Sequence, residues 1–339
     1  MHYRSFFFIG LIVLFSSVGY SQLHYQQDIL GVGFLQTTIH QPDDYEGKVT
    51  CTLVKKVRTQ STKRGVLYIH GFNDYFFQSE MAQVFDSSAL AFYALDLRKY
   101  GRSYLPHQKF NNVRNLEEYY TDIDTALRIM KQEGIEQILL VGHSTGGLIV
   151  SLYASHNSAN PMFDAIFLNS PFFDFNLNPV LEKIGLPIIV NQGKKKPNKL
   201  MKQGLDPSYG QSIYKGDRGE WDYLLALKPH ISPPVNYGWI KAIRDGQKQI
   251  HRGVTISKPV LVMHSDKSVY YKKWTDELYT ADGVLSVKDI SKYAKRIQGN
   301  VQTVEVKDGI HDLVLSRKEV RVHLYTELFT WLNSNFKTN

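Results

Sequence analysis

The chain has 339 residues, 43% of them hydrophobic, enough for a sizeable core in one large domain or two smaller ones. A formal net charge of +8 is modest for this length and reads as surface lysine. No zinc-finger, RNP or basic-zipper pattern is present, so no nucleic-acid partner is expected. Cys51 is the sole cysteine, which excludes an internal disulfide.

The first residues have the composition of a targeting segment. His2 and Arg4 precede the apolar run Phe6 to Phe15, and Gly19-Tyr20-Ser21 offers a small-x-small cleavage site before Gln22. The run is about ten residues long, whereas a membrane-spanning helix needs about twenty. Residues 1–21 are therefore expected to be a signal peptide, and the mature chain to be exported, periplasmic or secreted. An uncleaved N-terminal anchor is the alternative.

Leu35 to His40 and Lys48 to Val57 read as two strands around a turn containing Pro42, Asp43, Asp44 and Gly47. Lys55, Lys56 and Arg58 suit an exposed sheet edge. Val66 to Ile69 is a short apolar strand that ends in His70-Gly71-Phe72. The glycine there lets the chain turn so that the amide of Phe72 points back into a site, as an oxyanion loop requires. Ala89 to Leu95 is the next strand. In the loop behind it Asp96 and Arg98 are expected to pair, and Gly101 to take a positive φ. Asn115-Leu-Glu-Glu118 has the form of a capping box, and Leu116, Tyr120, Ile123, Leu127 and Met130 follow at helical spacing, with Gly134 as C-terminal cap. Ile138 to Val141 and Ala165 to Leu168 are further buried strands. Wholly apolar strands alternating with helices indicate a parallel sheet covered on both faces.

That rhythm stops after Pro171. Residues 172–258 are rich in Pro, Asn, Gly, Lys and aromatics, including Phe172, Phe173, Phe175, Tyr209, Tyr214, Trp221, Tyr237 and Trp239. A loop of this length without structure is improbable in a compact domain, so an inserted helical cap is expected. Its aromatics could line an apolar substrate pocket or form the cap's own core. The lysines at 194–196, 199 and 202 read as a solvated face that could also meet anionic lipid headgroups. The sheet resumes at Pro259 to His264, a last strand covers 301–306, and Arg317 to Phe336 reads as a helix.

The stretch Gly142-His143-Ser144-Thr145-Gly146 carries the chemistry. It is a G-x-S-x-G pattern between the strand Ile138 to Val141 and a helix starting near Gly147, the context of a nucleophile elbow. Such a serine needs a base, a carboxylate that fixes the base's tautomer, and amide donors for the oxyanion. The chain order serine, acid, histidine can be met at the ends of successive strands. Gly309-Ile-His311-Asp312 follows the last strand.

With His70-Gly71-Phe72, the loop from Asp96 to Ser103, the elbow and His311, the chain resembles the α/β-hydrolases, and within them the monoacylglycerol lipase and lysophospholipase-like serine hydrolases. The resemblance runs from about Leu35 to the C-terminus. It implies a mostly parallel eight-stranded sheet with helices on both faces, a core of residues 22–171 and 259–339, and a cap at 172–258. It also implies Ser144 as nucleophile, His311 as base, the amides of Phe72 and Thr145 as oxyanion hole, and no metal or organic cofactor. The family's Gly-x-x-Asp after the seventh strand is missing here, and the expected acid position falls on Ser268. Asp282-Gly-Val-Leu-Ser-Val-Lys-Asp resembles the displaced motif, and its separation of 29 residues from His311 fits one helix and one strand. Asp282 is thus the expected acid, behind an insertion of about Val269 to Ala281, with Asp266 as second choice and Asp312 as structural. The implied activity is hydrolysis of a carboxylic ester, a monoacylglycerol or lysophospholipid first, with transient membrane-surface contact. An aminopeptidase of the same fold, needing an acidic cap residue such as Glu220 or Asp222 for the substrate amine, and a non-catalytic binding protein on this scaffold are the other readings.

Overall fold

The computed structural model describes residues 23–201, 206–271 and 273–336. The expected signal peptide lies outside them. None of the described helices is long and apolar enough to cross a membrane. The main sheet has nine strands: β1 (Gln26–Gln27), β2 (Phe34–Asp44), β3 (Gly47–Lys56), β4 (Arg64–Ile69), β5 (Ala91–Asp96), β6 (Gln137–His143), β7 (Ala165–Asn169), β8 (Val260–Ser265) and β9 (Val301–Val306). Their spatial order is β1-β2-β3-β5-β4-β6-β7-β8-β9. From β5 to β9 every neighbour is parallel, while β1, β2 and β3 run antiparallel at one edge. The extra strand beyond the eight expected is the two-residue β1.

Each central strand feeds two cores because successive side chains point to opposite faces. In β6, Ile138 and Leu140 enter one apolar layer and Leu139 and Val141 the other, all essentially inaccessible to water. Full burial of side chains of this size stabilises by about 1.5–3 kcal/mol each, so these four residues alone fix the strand's place. Helices α2 (Tyr120–Gln132), α3 (Thr145–His156), α6 (Tyr237–Arg252) and α7 (Val287–Ala294) cover the first face. Helices α1 (Ser79–Ser87) and α8 (Lys318–Asn335) cover the second. The capping box forms, with the Asn115 side chain accepting from the backbone and the Glu118 carboxylate returning to the Asn115 amide.

Segment 172–258 carries three α-helices among its described residues. Helices α4 (Leu186–Lys195) and α6 pack on each other, and Leu186 and Val190 of α4 join Trp239, Ile240, Ile243 and Ile250 of α6 in the apolar layer around α3, while α5 (Pro207–Ile213) sets Tyr209 against His311. The expected Asp96–Arg98 pair is not made. Arg98 reaches Asp122 on α2 at 2.7 Å, and Asp96 takes Arg102 at 2.9 Å and the amide of Phe76 at 2.9 Å. Side chains two apart leave the loop in different directions, so each finds a partner on another element. Gly101 has a positive φ of 45°, and a Cβ there would run into the Asp96 carboxylate.

Candidate active site

The register of the parallel strands brings three strand ends level. Ile69 of β4 pairs with Gly142 of β6, and His143 of β6 with Asn169 of β7. The chain therefore leaves β4 through His70-Gly71-Phe72 directly beside the elbow. A Cβ on Gly71 would lie 3.1 Å from both the Ser144 Cβ and the His143 ring. Gly142 and Gly146 are required by close approach. A Cβ on Gly142 would sit 2.6 Å from the Gly146 carbonyl oxygen, and one on Gly146 would sit 2.5 Å from the carbonyl oxygen of His70. Ser144 itself is held at φ 52°, ψ −115°, a conformation that costs a non-glycine residue about 1–3 kcal/mol and persists because the surrounding packing enforces it.

That backbone aims the Ser144 hydroxyl at His311. The His311 Nε2 lies 3.0 Å from Ser144 Oγ, and its Nδ1 lies 2.9 Å from Asp282 Oδ2. All three residues are buried, Asp282 completely. The second Asp282 oxygen accepts from the amides of Val284 and Leu285, at 2.8 Å each. Both oxygens of this carboxylate therefore face donors, two amides on one side and the imidazole on the other.

The route of Asp282 to this place is local and legible. After Ser268 the chain makes an excursion through a 3₁₀ turn at Asp276–Tyr279, with a small apolar cluster of its own from Val269, Leu278 and Ala281. It then returns so that Asp282 forms a bridge with Ser268. The Val269 amide donates to the Asp282 carbonyl and the Asp282 amide to the Lys267 carbonyl, both at 2.9 Å. Asp282 thus stands next to the position where the family's motif would put its acid. Asp266, the second choice, is not brought to His311. It is exposed, and its carboxylate accepts from the Asp308 amide at 2.9 Å. The strand β8 ends before it, and the chain there turns toward the outer edge of the sheet.

Phe72 and Thr145 flank the serine, Thr145 as the first residue of α3, where helix amides have no partner within the helix. Among the described residues neither amide donates to a protein acceptor. Phe72 is half-buried against Trp239, at 4.8 Å between ring centres. Of the aromatics in segment 172–258, Trp239 and Tyr209 reach the site, and Tyr214 packs on Tyr223 and His230 within the segment itself.

Two other histidines near the serine have structural duties. His70 donates from Nδ1 to the Gly71 carbonyl at 2.7 Å and accepts the Leu97 amide at Nε2, at 3.1 Å, so both nitrogens are committed. His143 donates from Nδ1 to the Asn169 carbonyl at 3.2 Å, and burial pushes its pKa below the usual imidazole value. Asp312 is held by Asn169 at 2.7 Å and Gln78 at 3.1 Å, facing away from the imidazole of its neighbour.

Three contributors escape a reading of the sequence. Asn169 ends β7; its carbonyl accepts the Ser144 amide, while its side chain ties down Asp312 and the Leu313 amide. A polar residue closing an apolar strand is the available signal. Tyr209 lays its ring edge-on against His311, at 5.7 Å between centres, and its hydroxyl accepts the Asp312 amide. The third is a strap between the loop after β4 and residues 224–229. Asn73 donates to the Pro229 carbonyl, Lys228 reaches Asp74 at 2.8 Å, and the Leu224 amide donates to the Tyr75 hydroxyl. Burial alone would raise the Asp74 carboxyl, but Lys228, His143 and His70 around it bring it below its ordinary value.

A family model described as serine aminopeptidase, S33, matches residues 60–314, a span that holds His70-Gly71-Phe72, the turn at Ser144 and His311. The chain belongs to that family of α/β-hydrolases. It is similar to a monoacylglycerol lipase of Mycolicibacterium smegmatis, 28% identical over 284 residues, which cover 80% of this chain and 89% of the relative. Among solved structures, a soluble variant of monoglyceride lipase from Saccharomyces cerevisiae shares the fold with a TM-score of 0.61 at 16% identity, over 95% of this chain and 98% of that one. A monoacylglycerol lipase from Paleococcus ferrophilus does so with a TM-score of 0.58 at 17% identity, over 81% of this chain and 96% of that one. The protein is an α/β-hydrolase, similar to these monoacylglycerol lipases, on a sheet with the strand order described above.

Proposed function

We propose that the protein cleaves carboxylic esters through Ser144, His311 and Asp282, with a monoacylglycerol as its first substrate and a lysophospholipid as its second. The observation that carries this reading is the pair of contacts made by one imidazole, Nε2 to Ser144 Oγ at 3.0 Å and Nδ1 to Asp282 Oδ2 at 2.9 Å. In the first half-reaction the Ser144 oxygen bonds to the ester carbonyl carbon while its proton passes to His311 Nε2. The oxyanion lies between the Phe72 and Thr145 amides. The tetrahedral intermediate then expels the alcohol, which takes the proton from His311, and leaves an acyl-serine. In the second, water attacks that acyl group, gives a proton to His311, and releases the fatty acid and the free serine. Asp282 holds the imidazole with its proton on Nδ1 and faces the imidazolium that forms.

A lipid substrate is supported by the outer surface of the cap. Val180, Leu181, Ile184 and Ile188 are exposed along one face at helical spacing, beside the exposed Lys183, Lys194 and Lys195. Apolar residues in one stripe flanked by lysines suit an anionic lipid interface. The aminopeptidase reading is less well supported. Glu220 and Asp222 are exposed, and the buried carboxylates Asp74 and Asp312 already have partners. The N-terminal apolar run supports export after cleavage behind Ser21, which N-terminal sequencing of secreted material would test.

The direct test is Ser144→Ala. Hydrolysis of monoacylglycerol and labelling by a fluorophosphonate are expected to disappear while the melting temperature is kept. Undiminished ester turnover in that variant would end the proposal, and faster cleavage of aminoacyl anilides than of esters by the parent enzyme would favour the peptidase.

A further inference from the structure

A cleft with charged side chains in its lining lies on the far side of the Asp282 loop. It is a groove of about 970 Å³ between the end of β8 and α7. Five cations line it, Lys267, Lys288, Lys292, Lys295 and Arg296, against two carboxylates, Asp266 and Glu305. Lys288, Lys292 and Lys295 follow at steps of four and three, so they share one face of α7 and its last turn. Lys267 pairs with Asp308 at 2.9 Å. Lys288, Lys295 and Arg296 make no ion pair among the described residues. Lys292 donates to the Tyr293 hydroxyl at 3.2 Å, and like charges at this spacing repel one another.

The floor of the groove adds an independent observation. His264 lines it, is 1% exposed, and has one nitrogen without a partner. Its Nδ1 lies 2.7 Å from the Ser265 carbonyl oxygen. A carbonyl only accepts, so Nδ1 carries the proton and Nε2 of the neutral ring is left as a buried acceptor. Leaving such an atom unsatisfied costs about 1–3 kcal/mol. The groove therefore offers several donors at its rim and one acceptor at its base.

We infer that this groove is a binding site for a phosphate group, carried by a phosphomonoester or by free phosphate. A hydrogen phosphate has the complementary pattern: its unprotonated oxygens accept from the lysines and Arg296, and its remaining O–H donates to His264 Nε2. The second proton of a phosphomonoester leaves near pH 6, so the protonated form is available close to neutrality. Sulfate has the same shape but no proton to give there. Ser268 connects the two sites: it lines the groove, donates to the Leu285 carbonyl, accepts the Val287 amide, and bridges to Asp282. The ligand thus sits one residue behind the carboxylate that faces His311, while its binding does not depend on the ester-cleaving reading.

The test is calorimetric titration of the full chain with inorganic phosphate and, separately, with sulfate, at ionic strength held constant with chloride. Phosphate is expected to bind saturably and sulfate roughly tenfold more weakly or not at all. Lys288→Glu with Lys292→Glu should weaken phosphate by roughly tenfold or more through charge alone. His264→Asn keeps a donor for the Ser265 carbonyl and removes the Nε2 acceptor, and should bring phosphate down to the level of sulfate. A parallel arm pellets the protein with phosphatidylcholine vesicles with and without phosphatidate. Association with phosphatidate alone, lost in the lysine double variant, assigns the phosphate to a lipid headgroup. Equal responses to phosphate and sulfate, or no response to phosphate and to phosphatidate, overturn the inference. Ester turnover by the same variants reports on the other site, so the two readings fail separately.

Discussion

Replacing Asp282 by Asn probes the polarity of the proposed relay, because its two oxygens have different neighbours. Oδ1 accepts from the Val284 and Leu285 amides at 2.8 Å, and Oδ2 faces His311 Nδ1 at 2.9 Å. Both amides are donors, so an asparagine here keeps its carbonyl oxygen toward them and turns its NH₂ toward His311. Two donors cannot share a hydrogen bond. The imidazole must then leave Nδ1 bare and carry its proton on Nε2, where it can no longer accept from Ser144. In a serine-hydrolase triad this tautomer error costs about 10⁴ in rate, which is about 5.5 kcal/mol of transition-state stabilisation. Asp282→Ala imposes no tautomer and should lose no more than Asp282→Asn. The assay is kcat/KM on a soluble p-nitrophenyl ester and on monoacylglycerol, with thermal melting to confirm the fold. Asp266→Asn, altering an exposed group bonded to the Asp308 amide, serves as control and should stay within about twofold of the parent. An Asp282→Asn enzyme retaining more than roughly a tenth of parental kcat/KM would refute the reasoning.

Gly146→Ala would press a Cβ to 2.5 Å from the His70 carbonyl oxygen, so a loss of about 1–3 kcal/mol in unfolding free energy is expected, together with loss of turnover; an unchanged denaturation midpoint would count against the close packing described. Asp74 has a folded pKa below its ordinary value of 3.8, so its pairing contributes stability that is fully present above that value and lost as pH falls through the depressed one. The stability gap between the parent and Asp74→Asn should therefore be flat near neutrality and close in strong acid, and a gap independent of pH would contradict the strap. Ile184→Ser with Ile188→Ser, both on the exposed cap face, should lower turnover of monoacylglycerol in vesicles while sparing a soluble ester; equal losses on both would argue against a lipid-docking role.

The parts of the site carried by short motifs were legible because their chemistry is local. An apolar run, a glycine, a serine and a second glycine specify a strand, a turn and a helix whatever the rest of the chain does, and His70-Gly71-Phe72 is readable for the same reason. The acid was harder. The motif is interrupted, and only the return of the chain from an excursion of about a dozen residues puts Asp282 back beside Ser268. Length arguments pointed there, since one helix and one strand must fit before His311. The partners of Asp96 and Arg98 were not readable. Sequence proximity suggested that they pair with each other, yet a buried charge takes whichever opposite charge the packing brings, here Arg102 and Asp122.

By itself the sequence determined the sheet's apolar strands and the strand, turn and helix around Ser144, because each depends on periodicity or on steric demands within a few residues. Only the tertiary structure decided which carboxylate faces His311, that His70 and His143 are spoken for by backbone groups, that Tyr209 and Asn169 brace the histidine loop, and that His264 Nε2 is buried without a partner beside a row of lysines. Those are pairings between groups far apart in the chain. Burial makes an unmatched donor, acceptor or charge costly, so such pairings are settled by what the fold brings within about 3 Å, a quantity that spacing along the chain does not contain.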